Sequence, residues 1–303
     1  SGLGVSEKRA LVWVDRSGNE EPLGAAPRAY VYPRISPDGT RVALDLRDEM
    51  RDAWIWDLGR KTLTRLTVDP DLTRLPVWTD SQRVVFTVSK DGQPGSSIRI
   101  QAADGSAPAQ TLLDDAKTGW IVTSASPDGT RLLVTQNNSP FDIGVLAPGT
   151  PNITMLLAEP FSEGNPELSP DGRWLAFQSD ETGRNEIYVR PFPNVSGSRA
   201  QVSTSGGTRP LWSRDGREMF YFWQRAMMAV PVQTAPVFKA GAPQVLFKGD
   251  YLTPLVGRTF DVSPDGKRFL MIKAAPEVDV QGEASIIVVQ NWLEELKRRV
   301  PAR

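Results

Sequence analysis

Ser36-Pro37-Asp38-Gly39 is a phrase the chain keeps returning to. Ser126-Pro127-Asp128-Gly129, Ser169-Pro170-Asp171-Gly172 and Ser263-Pro264-Asp265-Gly266 repeat it letter for letter. Ser213-Arg214-Asp215-Gly216 is a near copy, and Thr79-Asp80-Ser81-Gln82 is a worn one. Measured at the third residue of each phrase, the repeats stand 43, 47, 43, 44 and 50 residues apart. Proline presets φ at the second position of a tight turn, aspartate accepts a backbone N–H, and glycine takes the left-handed φ that closes it. A period in the forties with strand-like flanks marks four-stranded sheets repeated about an axis. Six phrases therefore predict an all-β, six-bladed β-propeller of four-stranded antiparallel blades.

Working outward from the first turn, residues 33–36 form an inner strand and 41–45 return as the second. Residues 53–57, with Trp54-Ile55-Trp56, make the third, and 63–67 alternate with period two as the outer fourth. The other repeats follow this template, and the worn turn at 79–82 is expected to keep the fold with a local irregularity. The sixth repeat has an expected third strand at 286–290 and no outer strand of its own. Spare strands at 11–15 and 21–23 are expected to pair into that blade, closing the ring and removing its open edge.

Residues 1–9 read as a flexible start, with Ser1-Gly2 resembling a tag remnant. Residues 10–292 read as the propeller and 293–303 as a C-terminal helix or tail. Glu294 and Glu295 would sit in the first turn of that helix and Lys297, Arg298 and Arg299 in its last, as the helix dipole favours. Trp292, Leu296 and Val300 would form its docking stripe.

Composition removes several function classes. The 303 residues include no cysteine and no histidine, so disulfides, thiolate zinc, Ser-His-Asp hydrolysis and imidazole switching are all unavailable. Lys and Arg total 35 against 36 Asp and Glu, without a block of five like charges, so nucleic acid is not an expected partner. No run of 18 apolar residues occurs, and a membrane would be reached only through a segment upstream of this sequence. No nucleotide loop, dinucleotide fingerprint or nucleophile elbow is present. The chain is expected to be a monomeric, non-catalytic binding module with no cofactor and no metal.

The turns, followed by a basic residue, an apolar strand and an Ile187-Tyr188-Val189 or Trp54-Ile55-Trp56 strand, resemble the repeat of TolB-like propellers over nearly the whole chain. Longer phrases narrow the likeness: Leu11-Val12-Trp13-Val14-Asp15, Tyr188-Val189-Arg190-Pro191-Phe192-Pro193, Trp212-Ser213-Arg214-Asp215-Gly216-Arg217, and Asn291-Trp292-Leu293-Glu294-Glu295-Leu296-Lys297-Arg298. These are similar to propellers that follow bacterial serine/threonine protein kinase domains. In that family a cytoplasmic kinase is commonly joined through one membrane helix to an extracytoplasmic propeller. The resemblance implies a sensor or interaction domain in the periplasm or at the cell surface. Without histidine there is no His-Arg-Asp loop, and there is no Asp-Phe-Gly, so the chain is not the kinase itself. Two alternatives stand beside this reading. One is a metal-dependent lactonase- or esterase-like propeller, whose channel metal Asn165, Glu167 and Asp261 could hold. The other is a TolB-like periplasmic assembly factor.

In a propeller the fourth-to-first and second-to-third connections crowd one mouth of the central channel. The residue four before each turn aspartate, or its equivalent, is Arg34, Val77, Ser124, Glu167, Leu211 and Asp261. This mixed set is expected to face the channel, with Arg34, Glu167 and Asp261 as the main candidates. The next residues, Ile35, Trp78, Ala125, Leu168, Trp212 and Val262, are uniformly apolar and are expected to pack between blades. Upstream, Tyr32, Arg74, Trp120, Asn165, Arg209 and Arg258 are expected to surround the mouth. Such a set suits a protein or peptide segment or a small polar ligand, because guanidinium grips carboxylate in a fork. Structural filling of the channel by the same charges is the competing reading. The acidic connection at Asp45, Asp48, Glu49 and Asp52 could hold calcium but lacks EF-hand spacing, and a solvated loop is the plainer reading. Most tryptophans fall at packing positions; Trp120 and Trp223 lie near the expected mouth.

Overall fold

The computed structural model describes residues 7–276 apart from 49, 50, 138, 148, 151 and 255. The expected helix at 293–303 and strand at 286–290 lie outside the described residues. The chain opens with β1 (Arg9–Asp15) and β2 (Glu20–Pro22). Blade one is β3 (Tyr30–Ile35), β4 (Arg41–Leu46), β5 (Ala53–Asp57) and β6 (Thr62–Arg65). Blade two is β7 (Leu72–Trp78), β8 (Arg83–Ser89), β9 (Ser96–Ala102) and β10 (Gln110–Asp115). Blade three is β11 (Trp120–Ala125), β12 (Leu132–Gln136), β13 (Ile143–Leu146) and β14 (Ile153–Leu157). Blade four is β15 (Glu163–Leu168), β16 (Trp174–Ser179), β17 (Glu186–Pro191) and β18 (Ala200–Gln201). Blade five is β19 (Thr208–Trp212), β20 (Glu218–Trp223) and β21 (Ala226–Gln233), with β22 (Lys239–Ala240) and β23 (Gln244–Lys248) both paired to β21. Blade six is β24 (Asp261–Val262) and β25 (Arg268–Ala274), completed by β1 and β2. All six sheets are antiparallel, as the repeat count predicts.

Both early strands enter blade six. β1 pairs with β25 from Arg9 opposite Ala274 to Asp15 opposite Arg268, and β2 covers the other edge of β1. The third-strand place expected for residues 286–290 is thus held by β1. Its alternation explains the fit. Val12 and Val14 pack into the core shared with blade five, while Leu11 and Trp13 pack into the core shared with blade one. A strand apolar on both faces belongs between two layers, not at an edge. Comparable apolar clusters lie between each remaining pair of neighbouring blades.

The repeated turns are built alike. In blade one Ser36 Oγ donates to Asp38 Oδ1 at 2.5 Å and accepts from the Arg41 N–H, while Gly39 N donates to Ser36 O with φ at +73°. The same serine–aspartate pair recurs at Ser126, Ser169, Ser213 and Ser263. Blade two, which lacks that serine, carries the carboxylate one place earlier in the turn: Asp80 Oδ1 accepts the N–H groups of Gln82 and Arg83 at 2.7 and 2.8 Å.

Each of the five longer inner strands carries a register shift in its middle, such as Val31/Arg34 in β3 and Thr208/Leu211 in β19. In four of them the shift holds a non-glycine residue at positive φ: Tyr32, Leu75, Asn165 and Arg209. A bulge of this kind re-aims side chains and divides each strand into two phases. The channel accordingly has two ends of different make.

Candidate functional site

At the turn end, all six blades enclose an open vestibule of about 320 Å³. Its wall contains both sets read from the sequence, the mixed one (Arg34, Val77, Ser124, Glu167, Leu211, Asp261) and the apolar one (Ile35, Trp78, Ala125, Leu168, Trp212, Val262). The apolar set was expected wholly between blades; it also reaches the lumen because the inner strands are short and converge here. Trp78 Nε1 donates to Arg34 O of the preceding blade at 2.8 Å, and Trp212 Nε1 to Glu167 O at 3.3 Å. These two tryptophans tie neighbouring inner strands together.

Arg34, Glu167 and Asp261 come together on the vestibule floor, joined by Arg258. Arg258 Nη1 lies 3.1 Å from Glu167 Oε2, and its Nη2 lies 3.6 Å from Asp261 Oδ1. Arg34 Nη1 donates to Pro33 O and to Arg258 O at 2.8 and 2.7 Å. Asp261 also accepts the Ile35 N–H at 2.7 Å across the ring-closing blade. Burial pulls the Arg34 guanidinium down to about 9, with Arg258 adding to the effect and Asp261 and Glu167 opposing it. Burial likewise raises the Glu167 carboxyl, against the pull of Arg258 and Arg34. The floor therefore holds two guanidinium groups and two carboxylates.

Arg214 also lines the vestibule, and its importance was missed in the sequence. It stands where four other turns carry proline, and it spans the face to blade one, donating to Pro37 O at 2.6 Å and to Ser36 O at 3.1 Å. The signal was there: an arginine replacing proline inside an otherwise constant turn frees a long cationic arm at the rim.

The residues expected to ring the mouth fall in several places. Arg258 belongs to the vestibule floor. Asn165 is tied by its amide to Gln178 Oε1 at 2.9 Å, where the Arg209 N–H also donates. Trp120 is in the core between blades two and three, its Nε1 donating to Asp115. Trp223 lies against Gly206, outside the channel. Only Tyr32, Arg74 and Arg209 gather at the far end, and that end is covered. Gly257 lies flat on the Tyr32 ring, where an added Cβ would stand 2.5 Å from it, and Leu252 and Val256 pack over Val31, Tyr32, Leu75 and Ile121. The open end is therefore on the turn face, opposite to the one expected, because the connection from blade five to blade six folds across the other.

Arg47 and Asp45 join the far cluster. Arg47 grips Asp45 in a fork at 2.6 and 2.9 Å, and the Leu75 N–H donates to the same carboxylate at 3.2 Å. Arg209 donates to Gly257 O and Thr208 Oγ1 at 2.9 and 2.8 Å, and burial pulls it down to about 10. The acidic connection weighed for calcium is otherwise engaged: Asp45 by Arg47, and Asp52 by Arg65 and Thr67. Among the described residues no three carboxylates group as metal ligands would.

No family model matches the chain. It is 25% identical over 159 residues to the Tol-Pal system protein TolB of Francisella tularensis subsp. tularensis and to that of subsp. holarctica, covering 50% of this chain. The match spans 35%, about a third, of those relatives' own length. Among solved structures, a TolB-type protein from Agrobacterium tumefaciens superposes with a TM-score of 0.69 at 18% identity, over 89% of this chain and 99% of that one. TolB from Acinetobacter baumannii gives 0.51 at 16% identity, over 89% and 64%. An oligogalacturonate lyase in complex with manganese gives 0.56 at 13% identity, over 81% and 76%. What the solved structures share with this chain is fold alone, and the chain itself is a TolB-like six-bladed propeller.

Proposed function

We propose that this TolB-like propeller is a non-catalytic protein-binding module, and that a segment of its partner enters the vestibule on the turn face. The observation that carries this reading is the floor. Arg34, Arg258, Glu167 and Asp261 are already paired with one another and with backbone groups, so they offer fixed donors and acceptors instead of a free nucleophile or base. A polar floor held rigid below a rim of Trp78, Trp212 and turn prolines recognises a side chain or chain end at little ordering cost. The hydrolase alternative asks Asn165, Glu167 and Asp261 to share one cation, yet Gln178 holds the first and Arg258 the other two.

The likeness to TolB supports an assembly factor working outside the cytoplasm, in contact with other proteins of its system. The rival placement, as the sensor half of a receptor kinase, rests on the phrases at 188–193 and 291–298 of the sequence. Both use the propeller as a binding head.

A plugged variant tests the binding reading. Ala125→Arg places a long side chain at the vestibule wall. Peptides selected from a displayed library on the unaltered chain should bind saturably and lose at least tenfold in affinity to Ala125→Arg. Affinity indifferent to the plug would remove the vestibule from the function. Lactone or ester hydrolysis with added Mn²⁺ or Ca²⁺ that disappears in Glu167→Gln would replace binding by catalysis.

A further inference from the structure

The far end of the channel has a charge imbalance that the fold does not resolve. The charges acting on the Tyr32 hydroxyl are Asp45 on one side and Arg47, Arg74 and Arg209 on the other. Asp45 is spent: Arg47 takes it in a fork and the Leu75 N–H takes a remaining lone pair. Arg209 uses Nε and Nη1 on Gly257 O and Thr208 Oγ1, leaving Nη2 over. Among the described residues Arg74 donates to no protein acceptor, and its Nε is buried without one. Burial and the neighbouring Arg47 both push the Arg74 charge down, and the carboxylate that opposes them, Asp45, is the one Arg47 already holds.

Other guanidinium groups with a buried nitrogen left over, Arg9, Arg34, Arg99 and Arg190, each have a hydrogen bond from another of their nitrogens. Arg34 has two carbonyls and Arg258 has two carboxylates. Arg74 has none, while the ring of Tyr32 beside it is fixed by Gly257, Leu75 and Ile121. Burial raises the Tyr32 phenol further, so its O–H stays available as a donor, with the Arg47 guanidinium 5.9 Å over its ring. A fixed set of donors with one consumed acceptor is complementary to an incoming anion with two or more oxygens.

We propose that the far end of the channel binds an oxyanion, a carboxylate or phosphate group of a small ligand, held by Arg74 with Arg47, Arg209 and the Tyr32 hydroxyl. The site is separate from the vestibule and independent of the partner-binding reading.

The test titrates the chain with succinate and, in parallel, inorganic phosphate, at constant ionic strength with chloride as control, by calorimetry and thermal shift. The expected result is saturable one-site binding by at least one of the two. It should weaken at least tenfold in Arg74→Met and several-fold in Tyr32→Phe, and stay unchanged in the vestibule variant Ala125→Arg. The tighter of the two probes identifies the recognised group. If both probes act only as chloride does, or if Arg74→Met binds as well as the unaltered chain, the assignment is wrong. Should Arg74→Met not fold, Arg74→Lys keeps the charge without the fork and is read in the same way.

Discussion

The two ends of the channel are made by the same six strands and treat charge in opposite ways. At the turn end two guanidinium groups face two carboxylates, and each is held by at least one partner. At the far end three guanidinium groups share Asp45, and in blade four the buried Glu163 carboxylate has an oxygen without any partner. Pairing of the first kind makes a rigid surface, whereas unpaired buried charge is a liability unless something from outside completes it.

That contrast has measurable consequences. Arg258→Met removes the partner of both Glu167 and Asp261 at once, and urea unfolding should show a loss of about 3–5 kcal/mol. A loss below about 1 kcal/mol would mean that the floor pairs are not stabilising. At the far end, Glu163 is raised to about 7 by burial, with the Glu159 and Asp142 charges adding to the effect and the Glu159 backbone N–H and Arg190 opposing it. Stability linked to its protonated form is complete below the ordinary value of 4.5 and is lost as pH rises through about 7. Glu163→Gln should therefore gain about 1–3 kcal/mol at pH 8 and change little at pH 4. A gain equal at both pH values would show that the charge is not responsible.

Smaller effects sharpen the same comparison. Asp45→Asn strips the far end of the countercharge it has and should cost about 1–2 kcal/mol in urea unfolding, part of which phosphate restores. On the rim of the turn end, hydrogen bonds from Ser126 and Thr130 lower Asp128 to about 2. The stability this contributes is complete above the unfolded value near 3.9 and drains away as pH falls towards 2. Ser126→Ala should raise the acid midpoint and, because the turn is exposed, cost under about 1 kcal/mol at neutral pH. Arg74→Met should be the mildest, within about 1 kcal/mol of neutral or stabilising without added anion, since it deletes a charge that has no partner. A loss as large as that of Arg258→Met would erase the distinction between the ends.

The turn end was legible in the sequence for a physical reason. The Ser-Pro-Asp-Gly turn fixes chain direction and side-chain phase for the few residues before it, so Arg34, Glu167 and Asp261 could be placed on one lumen from spacing alone. Arg258 was noticed but assigned to the opposite mouth, because β24 is two residues long and the phase runs out before reaching it. The far end was not legible. The mid-strand bulges reset the alternation, which is how Trp120 lands in a core while Tyr32 and Arg209 turn to the axis. Closure was half legible: the spare strands at 11–15 and 21–23 were sent to blade six, but alternation alone did not say that β1 would take the third place in it.

That closure also constrains how the ring can be made. Arg9 pairs with Ala274, so β1, which has β2 on one side from the start, lacks its other neighbour β25 until nearly all the described chain has left the ribosome. Until then the β25-facing edge of β1 is open and Val12 and Val14 lack the blade-five and blade-six side chains that later cover them, an edge that invites association with another chain. The interval before β1 meets β25 is thus the period when this ring is most open to misassembly, through the free edge of β1.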